Sequence, residues 1–367
     1  MKIIHCADLH LDSSMTGLLS KEKAKERKNE LLLTFKKMID YAAKEGVFAI
    51  IIAGDLFDTK SVSAAARNCV LAAIEDNPDI YFFYLKGNHD SDNFLSSLQT
   101  IPENLKLFSD KLTTYHIGEK GNIAISGIEL TPVNSNSFYS LAGLDMTNFN
   151  ILVLHGQESQ SASKDKAEII NLKELKNKGI DYLALGHIHS YKMDALDGRG
   201  KYCYPGCLEG RGFDECGPHG FVVLDIDEDR MIYSAEFIKA ASRNLHEVFV
   251  DISECLTSND CIKKAEQTLK EKDIPSSDLV KIVLTGDVDY TCEKDPALIK
   301  THFRDSYYYV KLKDKSGFKV DYDAFKNDKS LKGEFVRTVI SSEELTAEEQ
   351  AGIIRYGIKA LMGEVID

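Results

Sequence analysis

Phe48-Ala49-Ile50-Ile51-Ile52-Ala53-Gly54-Asp55-Leu56-Phe57-Asp58 reads as a strand running straight into a polar turn. Residues 48–53 are almost wholly apolar, without alternation, so a strand here is buried on both faces. Such a strand belongs to a sheet covered by other layers on both sides. Gly54 lets the backbone come close at the tip, and Asp55 is offered at the strand end, where an α/β sheet presents side chains to a ligand.

Four other segments repeat this design. Strand-like runs also precede Asp8-Leu9-His10, Gly87-Asn88-His89-Asp90, Leu154-His155-Gly156 and Gly186-His187-Ile188-His189. Working outward, strands are predicted over 2–7, 81–85, 150–154 and 182–185, with helices over 21–44, 61–75 and 164–177. The first helix carries Leu32, Phe35 and Ile39 on one stripe. An antiparallel pair is expected over 113–117 and 122–128, and further strands over 201–204, 221–226 and 231–238. The fold class is therefore α/β, a two-sheet sandwich flanked by helices, over residues 1–240. After Lys239 the pattern changes to strand 248–252, helix 260–272, strand 279–285, helix 296–302 and strand 307–312, a small α+β domain over 241–330. The rest, 331–367, reads as a helical segment. In it Thr346-Ala347-Glu348-Glu349 is a capping box, and Ile354, Ile358, Leu361 and Met362 form one stripe that either packs on its own domain or docks a partner.

The length of 367 residues suits two domains, and 43% hydrophobic residues suffice for real cores. Trp is absent, leaving 16 Tyr and 17 Phe as the aromatic packing. A net charge of -13 argues against a wide basic surface for wrapping nucleic acid, though not against a local basic groove or a partner that supplies one. No run approaches the ~18 apolar residues of a membrane span, and the N-terminal apolar run is too short for a signal peptide. The expectation is a cytoplasmic protein, without a membrane, whose eight Cys are reduced thiols. Cys203, Cys207 and Cys216 lie close in sequence but lack the tight paired spacing of structural zinc, and read as strand and loop thiols.

Asp and His with one Asn make a mixed hard and borderline donor set, suited to Mn²⁺, Fe²⁺ or Zn²⁺ rather than Ca²⁺. Asp55 is the best bridge between two ions, because its two oxygens diverge. Charge supports two: four positive charges meet Asp8, Asp55, a hydroxide and one phosphodiester. Singly, each cluster has a bland reading as a turn or surface loop. Gly286-Asp287-Val288-Asp289 is such a case; no Asn-His or His-x-His follows it, and it reads as a turn. All five clusters in order, each at a strand end, point to a two-ion centre that hydrolyses phosphate esters.

This ordered set resembles the calcineurin-like metallophosphoesterase superfamily over roughly residues 1–240. The resemblance implies one metal held by Asp8, His10 and His189, the other by Asn88, His155 and His187, with Asp55 between them. His89 would stand beside the ions near the phosphate, and Asp58 would hydrogen-bond His89 and keep it protonated. Such a centre yields a hydroxide nucleophile at neutral pH, and an imidazolium at His89 would stabilise the transition state or protonate the leaving alkoxide. A decayed, non-catalytic scaffold is disfavoured, since all seven ligand types and His89 are present.

Within the superfamily the chain looks most like the SbcD-type DNA repair exonuclease subunits. Four features carry this: the opening Ile4-His5-Cys6-Ala7-Asp8-Leu9-His10-Leu11-Asp12; Thr59 after Asp58, in place of an Asp-Arg-Gly ending; the segment from Tyr204-Pro205-Gly206-Cys207 to Gly212-Phe213-Asp214-Glu215; and a small domain after the catalytic one. That resemblance implies Mn²⁺-dependent endo- and exonuclease activity on DNA, a homodimer and an SMC-like coiled-coil ATPase partner, with Fe²⁺, Zn²⁺ or Mg²⁺ as other ions. Lys60, Arg67, Arg199, Lys201 and Arg211 would contact the phosphate backbone or be ordinary surface charge. The alternative is an enzyme for nucleotides or other small phosphate esters.

Overall fold

Strands form where β-branched and aromatic residues run together between polar turns. A computed structural model describes residues 1–367 except 16, 18, 59–61, 92, 142–143, 160–168, 290–291, 320–324, 326, 343, 362 and 364–367. Its first fourteen strands are β1 Lys2–Cys6, β2 Ala49–Ala53, β3 Tyr81–Leu85, β4 Leu105–Leu107, β5 Thr113–Ile117, β6 Ile123–Gly127, β7 Phe149–His155, β8 Gln157–Ser159, β9 Ile169–Asn171, β10 Tyr182–Gly186, β11 Lys192–Ala195, β12 Lys201–Tyr204, β13 Gly220–Asp227 and β14 Ile232–Lys239. Two long helices accompany them. In α1, Lys21–Lys44, the Ser20 side chain caps the first turn by accepting from Lys23 N–H; in α2, Ala64–Glu75, Ser63 does the same for Ala66.

The strands build two six-stranded sheets, ordered β14-β13-β1-β2-β3-β4 and β11-β12-β10-β7-β6-β5. Both are mixed. β1 to β4 run parallel, as do β12, β10, β7 and β6, while β13, β14, β5 and β11 pair antiparallel. Side chains alternate between layers, as strand geometry requires. Ile3, Ala49, Ile51, Phe83, Ile151, Val153 and Ala184 fill one core that draws on both sheets. Ile4, Ile50, Ile52, Phe82 and Tyr84 pack with Leu31, Phe35 and Met38 of α1 and with Val70 and Ile74 of α2. Leu152, Leu154, Leu183 and Leu185 pack with Phe138, Leu172 and Leu175 on the other side of the second sheet. The two-sheet sandwich with flanking helices is thus the architecture expected from doubly buried strands.

The helix expected over 164–177 does not form as such. Ile169–Asn171 is β9, paired parallel with β8, and only Leu172–Leu175 is helical, capped by the Asn171 side chain. Residues 164–168 lie outside the described residues, as does Ser61 of the helix expected from 61, which starts at Ala64. Among the described residues no helix is long and apolar enough to cross a membrane.

The chain divides into two compact units, Met1–Leu245 and His246–Asp367. The second has a three-stranded sheet of β15 Leu245–Asp251, β16 Leu279–Thr285 and, after β17 Asp287–Asp289, β18 Tyr309–Asp314; β17 pairs with β19 Gly317–Lys319. The Gly286-Asp287 segment read as a turn is therefore a bend at Gly286 (φ 90°) leading at once into a short parallel strand. Helices Ser258–Glu271, Pro296–Phe303, Leu331–Ile340 and Ala347–Leu361 complete this α+β unit. Val336, Val339, Ile354 and Ile358 of the last two join the same core as Val250, Ile282 and Leu269.

Candidate metal centre

The parallel registers bring the sequence clusters to neighbouring strand ends. Cys6 pairs with Ile52, Ala53 with Leu85 and His155 with Gly186, so the turns that follow emerge side by side. The turns after β1 and β2 are then zipped together. Asp8 N–H donates to Gly54 O at 3.0 Å, His10 N–H to Asp55 O at 2.9 Å and Leu11 N–H to Leu56 O at 2.9 Å. The third turn is tied in by Asp90, whose carboxylate accepts from Leu56 N–H, Phe57 N–H and Gly87 N–H at 2.9–3.1 Å. Asp90 lies in the third cluster, but its role is non-local: a carboxylate binding three amides on two turns emerges only once the turns are adjacent.

The backbone is strained where the functional side chains leave it. Asp8 (φ 51°), His10 (φ 43°), Asp55 (φ 53°) and His187 (φ 100°) are four of nine non-glycine residues with positive φ among the described residues. Such conformations cost of order 1–3 kcal/mol each and cluster at functional sites. Two glycines let groups approach: a Cβ on Gly54 (φ 92°) would lie 2.0 Å from His155 Nδ1, and one on Gly87 would lie 2.2 Å from Asp55 Oδ1.

Three groups of side chains have donor atoms close enough to share an ion: Asp8, His10 and His189; Asp8, Asp55 and His155; and His10, Asp58 and His89. In the first, His10 Nε2 and His189 Nε2 face each other at 3.2 Å. His189 Nδ1–H donates to Glu215 Oε1 at 2.6 Å, and His10 Nδ1 lies 3.2 Å from Asp58 Oδ1. With the His189 Nδ1 proton so committed and Asp58 beside His10 Nδ1, the two Nε2 atoms converge on one point, a placement that suits a shared cation. In the second, His155 Nδ1–H donates to Ala53 O at 2.9 Å, turning Nε2 towards Asn88 Oδ1 at 3.0 Å and Asp55 Oδ2 at 3.4 Å. His187 brings Nδ1 to 3.4 Å from Asn88 Oδ1, and its backbone N–H holds the Asp8 carboxylate by both oxygens, at 2.9 and 3.0 Å. The structure thus brings together all seven sequence-predicted ligands.

Electrostatics follow from this crowding. Burial pushes the Asp8 carboxyl above its usual range, against the pull of His155, His189 and His10. Burial also opposes ionisation of Asp55, but the hydrogen bond and charge of His155 outweigh it and hold that carboxyl well below the usual range. His155 is pushed down by burial and lifted further by Asp55 and Asp8, to about 9.

His89 and Asp58 stand at the open side. The His89 side chain is 48% exposed, with its ring 5.2 Å from that of His10, while the His89 backbone N–H donates to Asp55 Oδ1 at 2.9 Å. Asp58 Oδ1 is 3.5 Å from His89 Nδ1, within ion-pairing reach but longer than a normal hydrogen bond. The same oxygen serves His10 at 3.2 Å and Arg211 Nη1 at 3.3 Å, so Asp58 is not dedicated to His89 as expected.

Of the basic residues considered for phosphate contact, Arg199 is held by Asp181 through Nε and Nη2, both at 2.8 Å, and Arg211 by Glu215 and Asp58. Lys201 is exposed, Arg67 is half-buried and Lys60 lies outside the described residues. Cys203 is buried in β12, and the Cys207 Sγ lies 3.3 Å from His219 Nδ1. Among the described residues none of the ion-capable groups includes a cysteine.

The calcineurin-like phosphoesterase profile matches residues 1–191, more than half of the chain. The chain belongs to this family. It is a metallophosphoesterase, of a family of metal-dependent phosphoester hydrolases that use a dimetal centre. This metallophosphoesterase is 27% identical over 303 residues to the uncharacterized metallophosphoesterase YhaO of Bacillus subtilis (strain 168), covering 78% of the chain and 72% of that protein. It is 29% identical over 217 residues to the DNA double-strand break repair protein Mre11 of Sulfolobus acidocaldarius, and 31% over 211 residues to that of Saccharolobus solfataricus. Each of these two alignments covers 54% of the chain and 52% of the relative, so the chain matches about half the length of the Mre11 relatives.

Proposed function

We propose that this metallophosphoesterase hydrolyses the phosphodiester bonds of DNA, as an endo- or exonuclease in repair or end processing. The observation that carries this is the convergence of Asp8, His10, Asp55, His155 and His189 into overlapping ion-capable groups, with His89 beside them on the open side. The Mre11 relatives support DNA as the substrate, and a second unit supports a polymer, which needs more surface than a nucleotide does.

One ion would be held by Asp8, His10 and His189 and the other by Asn88, His155 and His187, with Asp55 lying between the two sets. Manganese is the ion proposed; iron, zinc or magnesium suit the same donors. Bound there, the ions supply polarisation of the phosphoryl oxygens and a water-derived nucleophile at neutral pH. The chain itself does the rest. The His187 amide and the Gly54–Leu56 carbonyls fix the Asp8 and His10 turn. His89, exposed to incoming substrate, donates a proton to the leaving oxygen or stabilises charge on the transferring phosphoryl group. Asp58 restrains the His10, His89 and Arg211 side chains around it. The working assembly is a homodimer with an SMC-like coiled-coil ATPase, which would supply DNA-binding surface that a chain of net charge -13 lacks.

The test is purified chain with Mn²⁺ or Mg²⁺, on a labelled hairpin DNA and on bis-p-nitrophenyl phosphate. Cleavage of both is expected. Cleavage of the small ester with inert DNA, unchanged by an added ATPase partner, would move the assignment to nucleotides or other small phosphate esters.

A further inference from the structure

The segment between β12 and β13 carries Glu215 and Arg211, which both reach the His189 ring. Glu215 is 6% exposed and lies against the ring of His189 on the edge away from the ion position. Its Oε1 is 2.6 Å from His189 Nδ1, whereas His189 Nε2 faces His10. Glu215 is therefore too far round the ring to be a ligand to the same ion, and it is itself held firmly. Arg211 N–H donates to Oε2 at 2.7 Å, Arg211 Nη2 to Oε1 at 3.0 Å, and His219 Nε2–H to the Glu215 carbonyl at 2.8 Å. The segment is anchored to α1 as well: Arg27 Nη2 lies 3.0 Å from Glu209 Oε2 and donates to Gly210 O at 2.9 Å.

Arg211 makes the position of Glu215 consequential. Its Nη2 is 3.2 Å from His189 Nδ1. A guanidinium only donates, so without a carboxylate between them it would donate to Nδ1 and drive the ring proton onto Nε2. A protonated Nε2 cannot bind an ion. With Glu215 accepting from both, the ring proton stays on Nδ1 and the Nε2 lone pair stays available. We propose that Glu215 is a positioning residue that fixes His189 in its ion-binding tautomer against the competing Arg211. The proposal rests on the two-ion reading above and concerns one of its two ions, that held by Asp8, His10 and His189. An outer carboxylate on a ligand histidine is worth about 10–100-fold in metal affinity.

The experiment is calorimetric titration of EDTA-stripped full-length chain with Mn²⁺, with melting temperatures in EDTA to confirm folding. Wild type is expected to bind two ions. Glu215→Ala should weaken one of them about 10–100-fold and leave the other near its wild-type affinity. Glu215→Ala/Arg211→Ala should recover part of the loss, which a merely structural role for Glu215 would not allow. If Glu215→Ala does not fold, Glu215→Gln carries the same expectation of one weakened ion. Wild-type affinity for both ions in the Glu215 variant would overturn the proposal, as would equal weakness in the single and double variants. A wild-type chain that binds no divalent ion would overturn the two-ion reading itself, which separates the two failures.

Discussion

His89 contributes to the centre twice, and the two contributions separate by mutation. Its backbone N–H orients Asp55, while its exposed imidazole faces the open side. His89→Ala keeps the amide, so manganese content by elemental analysis should stay at the wild-type level while turnover of bis-p-nitrophenyl phosphate falls about 10²–10⁴-fold. Metal content falling with activity would contradict that role. Asp55→Ala is the opposite case and should lose metal and activity together. His5, deep between the sheets with Nδ1 2.9 Å from Tyr182 Oη, titrates differently. Burial lowers its pKa to about 3, far below its unfolded value near 6.5. Between these values the unfolded chain binds the proton and the folded chain does not, so stability is full above pH 6.5 and declines as pH falls. By pH 5 the loss from this group is about 2 kcal/mol. Urea unfolding of EDTA-stripped protein at pH 7 and pH 5 checks this; His5→Phe should shrink the difference between the two by about that amount.

Turns and helices set the centre's precision. At Gly54 a side chain meets His155 Nδ1 and a positive φ together, so Gly54→Ala should displace the ring, break its bond to Ala53 O and weaken metal binding, measured by the same titration. α1 acts from farther away. Arg27→Ala would leave Glu209 buried without its cation, and loss of one member of a buried pair costs about 3–5 kcal/mol, readable in urea unfolding. Local signals made much of this legible in advance. β1, β2, β3, β7 and β10 announce themselves as apolar runs, and each ligand cluster sits within a few residues of its strand end. What was hidden is non-local. Ile169 and Ile170 look helical until they are paired with residues 157–159, and Asp287 looks like a turn until it is paired with Gly317. Glu215 and Asp90 are ordinary loop acids until folding sets them against His189 and the Leu56–Phe57 amides. The division of Asp58 among His10, His89 and Arg211 is likewise a property of three converging segments.

At the scale of the molecule, the buried apolar residues of the two units form separate cores. All seven proposed ligands belong to the first unit. Calorimetric unfolding is therefore expected to show two transitions, with Mn²⁺ raising only the one that belongs to Met1–Leu245, because an ion stabilises what binds it. A single transition, or equal shifts in both, would count against independent cores. The ordering of the ligands along the chain carries a consequence for synthesis. Asp8 and His10 are made before β2, whereas His189 follows β10 and the Glu215 beside it follows β12. A nascent chain that stops before His187 lacks a member of each proposed ion-binding set, so neither set can close until β10 and the turn after it have emerged.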